Sequence, residues 1–192
     1  DDVVAERFGD LLLAQLARAG VKPYLFVIPA GESSKSQKDL FQLYHDFYAA
    51  ELTRSDVIIA LGGGVVGDLA GYAAASYLRG TDFVQVPTTL LAQVDSSVGG
   101  KVAINLEEGK NLVGAFFQPA MVLADSSVLK SLPAKQFASG MAELIKHGCI
   151  RDRALFYSLA EPDKGGDLSK ISIKSCGIKA DIGAQDERDK GE

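Results

Sequence analysis

"ALGGGVVGDLAG", residues 60–71, sets three consecutive glycines behind the apolar run "VIIAL" (57–61) and opens a stretch of small residues that continues as "YAAASYL". A short apolar run ending in glycines and followed by small helix formers reads as a strand, a tight turn and a helix pressed close to a sheet. Gly62, Gly64 and Gly67 have the spacing of a dinucleotide-binding turn. In such a turn the backbone approaches a pyrophosphate, and the helix N-terminus supplies N–H donors and partial positive charge. Glycines also gather at strand-to-helix turns for packing reasons alone, so the spacing leaves both readings open. The usual dinucleotide unit places an acid at the end of the next strand to hold a ribose, whereas that place here reads Val86-Pro87-Thr88-Thr89. The nearest substitute lies upstream, Glu32 in "GESSK" with Lys35 three residues on. Asp68 is either a nucleotide contact or a first-turn acid favoured by the helix dipole.

Working outward, "DDVVAERFGDLLLAQLARAG" predicts an amphipathic helix closed by Gly20. "YLFVI" (24–28) reads as a buried strand, residues 36–51 as a helix, and "DFVQV" (82–86) as the next strand. Strands alternating with helices imply a parallel α/β sheet. From Pro87 to Pro119 the pattern is irregular, and "MVLAD" (121–125) restores a strand. Beyond Pro133 every segment reads helical: "AKQFASGMAELIKHGCI", "RALFYSLA" and "LSKISIKSCGIKADIGAQ". The expected division is an α/β domain over 1–131 and the start of a helical domain over 132–192. Both ends read as internal to a longer chain, because a helix opens at Asp1 with no strand before it and the charged "DERDKGE" directly follows a helical pattern.

Bulk properties narrow the function. A net charge of −5 and a pI near 5.1 argue against general affinity for nucleic acid or acidic membranes, so phosphate chemistry must come from placed residues. No apolar run approaches the ~18 residues of a membrane span. Two cysteines, Cys149 and Cys176, make neither a disulfide framework nor a zinc pattern; they read as buried thiols of a reducing compartment. With no leader pattern, the expected location is cytoplasmic.

The irregular stretch carries Asp95, Lys101, Asn105, Lys110 and Asn111 amid Thr88, Thr89, Ser96 and Ser97. Cations, amides and hydroxyls on a glycine-rich loop suit a small anionic ligand, and they also suit a solvated loop. In "MAELIKHG", Glu143 shares a helix face with Lys146 and His147. This is either a surface ion pair or a metal-binding carboxylate beside a substrate cation.

The run from "GGGVVGD" through "VPTTLLAQVDSSVGGK" and "GKNLVGAF", with "LPAKQFASGMAELIKHG", resembles the 3-dehydroquinate synthase family, from "PAGESSKS" to "IKADIGAQDER". The resemblance implies a Rossmann-like NAD-binding α/β domain followed by the first part of an all-α metal-binding domain. It implies conversion of 3-deoxy-arabino-heptulosonate 7-phosphate into 3-dehydroquinate and phosphate, in the shikimate route, with NAD and zinc or cobalt, by a homodimer. NAD would meet Glu32, Lys35, Gly63, Gly64, Val65, Asp68, Thr88, Thr89 and Lys110. Substrate would meet Arg79, Asp95, Lys101, Asn111, Lys146 and Lys179, and Glu143 would be one metal ligand.

The family's two further ligands are histidines, one in a "GHTxGHA"-like helix and one beyond it, and neither lies within residues 1–192. A lone carboxylate makes no tight zinc site. Glu143, His147 and Cys149 are a poor substitute set, since Cys149 is off the shared face. The chain alone is therefore expected to be inactive. Gly183 stands where the family favours an apolar residue, which weakens the helix carrying Lys179. Rival readings are a sibling sugar-phosphate cyclase, a metal-dependent polyol dehydrogenase, and a non-catalytic NAD-binding remnant.

Overall fold

The computed structural model describes residues 1–160 and 168–185; the charged stretch 186–192 lies outside them. Helix α1 (Asp2–Val4) runs through a π-helical turn (Ala5–Gly9) into α2 (Asp10–Arg18), and Gly20 ends it at φ +82°. The turn Glu32–Ser34 leads to α3 (Gln37–Ala49), whose first turn is capped by Ser36 Oγ accepting from the Asp39 N–H. Strand β1 (Ile58–Gly62) passes through Gly63 into α4 (Gly64–Ser76), and β2 (Phe83–Pro87) follows. β1 and β2 pair in parallel, Ile58 opposite Phe83 and Gly62 opposite Pro87. β2 also pairs in parallel with β5 (Met121–Val122), shorter than the strand expected over 121–125.

Two expectations change. Residues 24–28, expected as a strand, join neither sheet. Phe26 and Ile28 pack on the core, but an apolar cavity of about 660 Å³ lies among α2, residues 21–28 and β1, too wide for direct pairing. Within the irregular stretch, Ala92–Ser96 forms a π-helical turn. Lys101–Leu106 (β3) and Gly109–Phe116 (β4) then form an antiparallel hairpin, Lys101 opposite Phe116. Its alternation was hidden because exposed Leu112 and Phe116 stand among the polar residues of β4.

The helical half matches the expectation closely: α5 (Ala134–Arg151), α6 (Arg153–Ala160) and α7 (Leu168–Gln185). α7 continues through Gly183, so the glycine does not break it.

Two apolar clusters hold the chain. One gathers Leu40, Leu43 and Phe47 of α3, Leu69 and Ala73 of α4, Phe83 of β2, and Val102 and Ile104 of β3. Gly71 lets α4 approach the hairpin, because a Cβ there would stand 2.4 Å from Val102 Cγ1. The other cluster joins Leu90 and Val94 to Leu129 and to Leu144 of α5. The π-helical turn is thus packed against the helical half. Among the described residues no helix is long and apolar enough to cross a membrane.

Candidate functional site

The glycine turn opens one cavity of about 360 Å³ at the carboxyl end of the parallel strands, where open α/β sheets bind ligands. Gly63, Gly64, Val65, Thr88 and Thr89 line it together. No side chain caps the N-terminus of α4, so its first N–H groups are left for a ligand. Thr88 is 5% exposed and its Oγ1 has no hydrogen-bond partner. An orphaned buried hydroxyl of this kind is costly unless something fills the site. Thr89 is differently employed, its Oγ1 accepting from the Ala92 N–H at 3.1 Å. Sequence reading missed the opposite wall: Arg7, Gly31, Leu132, Pro133 and Gln136. Only Gly31, the first residue of "GESSK", carried a local signal. The larger apolar cavity beside β1 offers none of this chemistry.

A second group ties the upstream loop to the hairpin. Lys35, 4% exposed, donates from Nζ to Asp68 Oδ2 and Asn111 Oδ1. Asp68, expected at the nucleotide, and Asn111, expected at the substrate, therefore meet at one cation. Burial pushes the Asp68 carboxyl above the usual range, against the pull of Lys35. Asn111 sits at φ +57° and its N–H donates to Asn105 Oδ1 at 2.9 Å. Asn105 in turn donates to Glu32 Oε1 at 2.9 Å, and Lys110 Nζ stands 3.5 Å from the same oxygen. The Asn105 bond, with help from Lys110 and Lys35, holds the Glu32 carboxyl below its ordinary value.

A third group lies where α5 and α7 meet the π-helical turn. Lys179 Nζ donates to Asp95 Oδ1 and to its carbonyl. Lys146 Nζ donates to Glu143 Oε1 at 2.7 Å, and His147 Nε2 stands 3.3 Å from that same atom. On its other side His147 Nδ1 is 2.6 Å from Ser175 Oγ, with His147 3% and Ser175 0% exposed. Burial lowers the His147 pKa, so the ring is held neutral. Asp95, Glu143 and His147 bring one ligand atom each to within 4.8 Å of one another. Cys149, set aside as a ligand because it is off the shared face, lies outside the group, but it is exposed and not the buried thiol expected; Cys176 is half-buried, its thiol donating to the Gln93 carbonyl at 3.0 Å.

The remaining sequence candidates are Lys101 and Arg79. Lys101 opens β3 with an exposed side chain. Arg79 is exposed at φ +67° in the turn Tyr77–Arg79, at the end of α4 remote from the glycines. At 1.5 Å per residue that is about 20 Å from Gly64.

The fold is that of sugar phosphate cyclases. A 2-epi-5-epi-valiolone synthase from Streptomyces hygroscopicus, with NAD⁺ and Zn²⁺ bound, superposes with a TM-score of 0.90 at 28% identity. The match covers 99% of this chain and 55% of that one. A 2-deoxy-scyllo-inosose synthase, complexed with carbaglucose-6-phosphate, NAD⁺ and Co²⁺, gives 0.82 at 29%, covering 99% and 52%. An iron-containing alcohol dehydrogenase, 15% identical, shares the fold alone, with a TM-score of 0.72 over 94% of this chain and 58% of that one. Within this class the 3-dehydroquinate synthase N-terminal profile matches residues 25–139 and the C-terminal profile residues 140–192, and the chain belongs to that family. The 3-dehydroquinate synthases of Symbiobacterium thermophilum and Clostridium botulinum are 51% and 49% identical over the whole of this chain. The chain spans about half their length, 55% and 56%.

Proposed function

We propose that these residues form the NAD-holding part, and the opening of the metal-holding part, of a 3-dehydroquinate synthase. The proposed reaction converts 3-deoxy-arabino-heptulosonate 7-phosphate into 3-dehydroquinate and phosphate in the shikimate route. The observation that carries the reading is the uncapped glycine turn opening beside the orphaned Thr88 hydroxyl, in a chain of this family. A pyrophosphate suits both features. Gly63, Gly64 and Val65 would present N–H groups to it, with Thr88 and Thr89 beside them. Glu32, steadied by Asn105 and Lys110, would take the ribose hydroxyls, and Lys35 with Asp68 would fix the floor of the same site.

The donor set around Glu143 fits a divalent ion, and Glu143 would hold zinc or cobalt. When bound, NAD serves as a transient electron sink for a ring hydroxyl, and the ion polarises the oxygen concerned. Asp95, Lys101, Asn111, Lys146 and Lys179, with Arg79, would bind and orient the substrate, the cations matching its carboxylate and phosphate. With NAD bound, the C–H beside that hydroxyl carbon would become acidic enough for phosphate to leave by elimination, and the phosphate itself would serve as the base. No strong protein base is required. Arg79 lies far from the other groups along α4, which favours its acting on a second copy of the chain and accords with a homodimer. The reading divides the chain into an NAD domain over 1–131 and a helical domain from 132, and places it in the cytoplasm, without nucleic-acid or membrane partners.

The chain contains no tryptophan, so NADH fluorescence is read without interference from indole. Titration should show saturable enhancement, with affinity at least tenfold weaker in Asp68→Ala. Equal affinity in the variant would overturn the nucleotide assignment. Sibling cyclases are separated by assaying the complete protein for phosphate release from heptulosonate phosphate against glucose 6-phosphate.

A further inference from the structure

We propose that Asn105 is a positioning residue for both ligands of the reaction: its one carboxamide sets the Glu32 carboxylate for the nucleotide and the Asn111 backbone for the substrate. The inference rests on the reading of Glu32 as a ribose contact and of Asn111 as a substrate contact, and it adds the residue that places them.

The joint is built where the hairpin is irregular. Ile104 pairs with Val113 and Leu106 with Gly109, so Lys110, Asn111 and Leu112 of β4 share the place opposite Asn105. A bulge of this kind bends its strand, re-aims side chains and leaves backbone groups outside the ladder. Within it Asn111 takes φ +57°, a left-handed conformation that asparagine tolerates better than most residues. Its N–H donates to Asn105 Oδ1 at 2.9 Å. The Asn105 N–H donates to the Lys35 carbonyl at 2.8 Å, and Lys35 Nζ donates back to Asn111 Oδ1. Asn105, Lys35 and Asn111 thus close a ring in which Asn111 is held at backbone and side chain.

The carboxamide of Asn105 has one way to lie. The Asn111 N–H can only donate and the Glu32 carboxylate only accept, so the amide oxygen faces Asn111 and the NH₂ group faces Glu32, Nδ2 donating to Oε1 at 2.9 Å. A charged acceptor makes this the stronger of the two bonds. Lys110 of the same bulge stands 3.5 Å from that oxygen, but its side chain is 72% exposed and its ammonium rides on a flexible stem. Asn105 is half-buried and fixed at its backbone N–H and at both ends of its amide. It is therefore Asn105, rather than Lys110, that decides where the carboxylate stands.

The test uses the complete protein, with NAD affinity measured by calorimetry and turnover of 3-deoxy-arabino-heptulosonate 7-phosphate followed by phosphate release at saturating NAD. Asn105→Asp keeps an oxygen for the Asn111 N–H but sets a second carboxylate against Glu32. NAD affinity should fall about tenfold in this variant, while KM for the heptulosonate phosphate changes by less than about twofold. Asn105→Ala removes both bonds, so NAD affinity and substrate KM should each worsen about fivefold or more. In a Glu32→Gln background Asn105→Asp should cost nothing further toward NAD, because the new amide can donate to the new carboxylate. A defect confined to the hairpin's stability would show neither the split nor that rescue. Equal loss toward both ligands in Asn105→Asp, or unchanged NAD affinity in both Asn105 variants, would overturn the inference and leave the nucleotide assignment standing. Wild-type protein that binds no NAD removes both. Should circular dichroism show Asn105→Ala unfolded, the split between NAD affinity and substrate KM in Asn105→Asp decides alone.

Discussion

Glu32 shows how a single side chain is set for its task by neighbours remote in sequence. It sits on an exposed loop, yet Asn105, Lys110 and Lys35 all favour its ionised form. Its folded pKa lies below the ordinary value of 4.5, so the folded chain binds fewer protons there than the unfolded one. The resulting stabilisation is present above pH 4.5 and is lost as pH falls through the folded pKa. An NMR titration should place the Glu32 midpoint below 4.5 in the wild type and return it toward 4.5 in Asn105→Ala. An unchanged midpoint in the variant would show that the amide is not the cause. Glu32 and Lys35 were legible in the sequence as an upstream polar pair. Their tie to Asn105 and Asn111, more than seventy residues on, was not, because nothing local to the chain encodes a contact across the hairpin.

At the scale of elements, the decisive contact is between α5 and the turn that follows β2. Gly140 faces the start of that turn, where an added Cβ would stand 2.7 Å from the backbone nitrogen of Leu91, the residue that leads into it. Gly140→Ala should therefore cost about 1–3 kcal/mol by overpacking, measured by urea denaturation. It should also shift Asp95 relative to Glu143. A neutral result would mean that α5 moves freely against the turn. Helices were read well from sequence: among the described residues α6 and α7 cover the segments "RALFYSLA" and "LSKISIKSCGIKADIGAQ". The hairpin β3–β4 was missed, since its exposed residues mix Lys101, Lys110 and Asn111 with Leu112 and Phe116 and give no clean polar–apolar alternation, and only pairing with each other reveals them as strands. Residues 24–28 were read as a strand because strand composition was all the sequence showed. Pairing requires a neighbour at ~4.8 Å, and here a cavity stands in between.

For the molecule as a whole, the cavity at the glycine turn gathers residues from four distant stretches: α1 and the turn after it, Gly31, the strand ends of β1 and β2, and the start of α5. A ligand there binds the folded chain only. NAD at a hundredfold excess over its Kd should therefore stabilise the fold by about 2.7 kcal/mol. For a chain of this size the melting temperature would rise by about 5–10 °C. Differential scanning fluorimetry checks this, and an unshifted transition would show that the cavity is not the nucleotide site. The sequence by itself determined the succession of strands and helices, the glycine turn and the family, because periodicity, turn chemistry and long specific runs are local properties. Tertiary structure alone decided that Lys35 joins Asp68 to Asn111, that Thr88 is left an unpartnered hydroxyl, and that Asp95 meets Glu143 and His147. Those are meetings of side chains from separate elements, and only packing of the two clusters fixes which of them come within bonding distance.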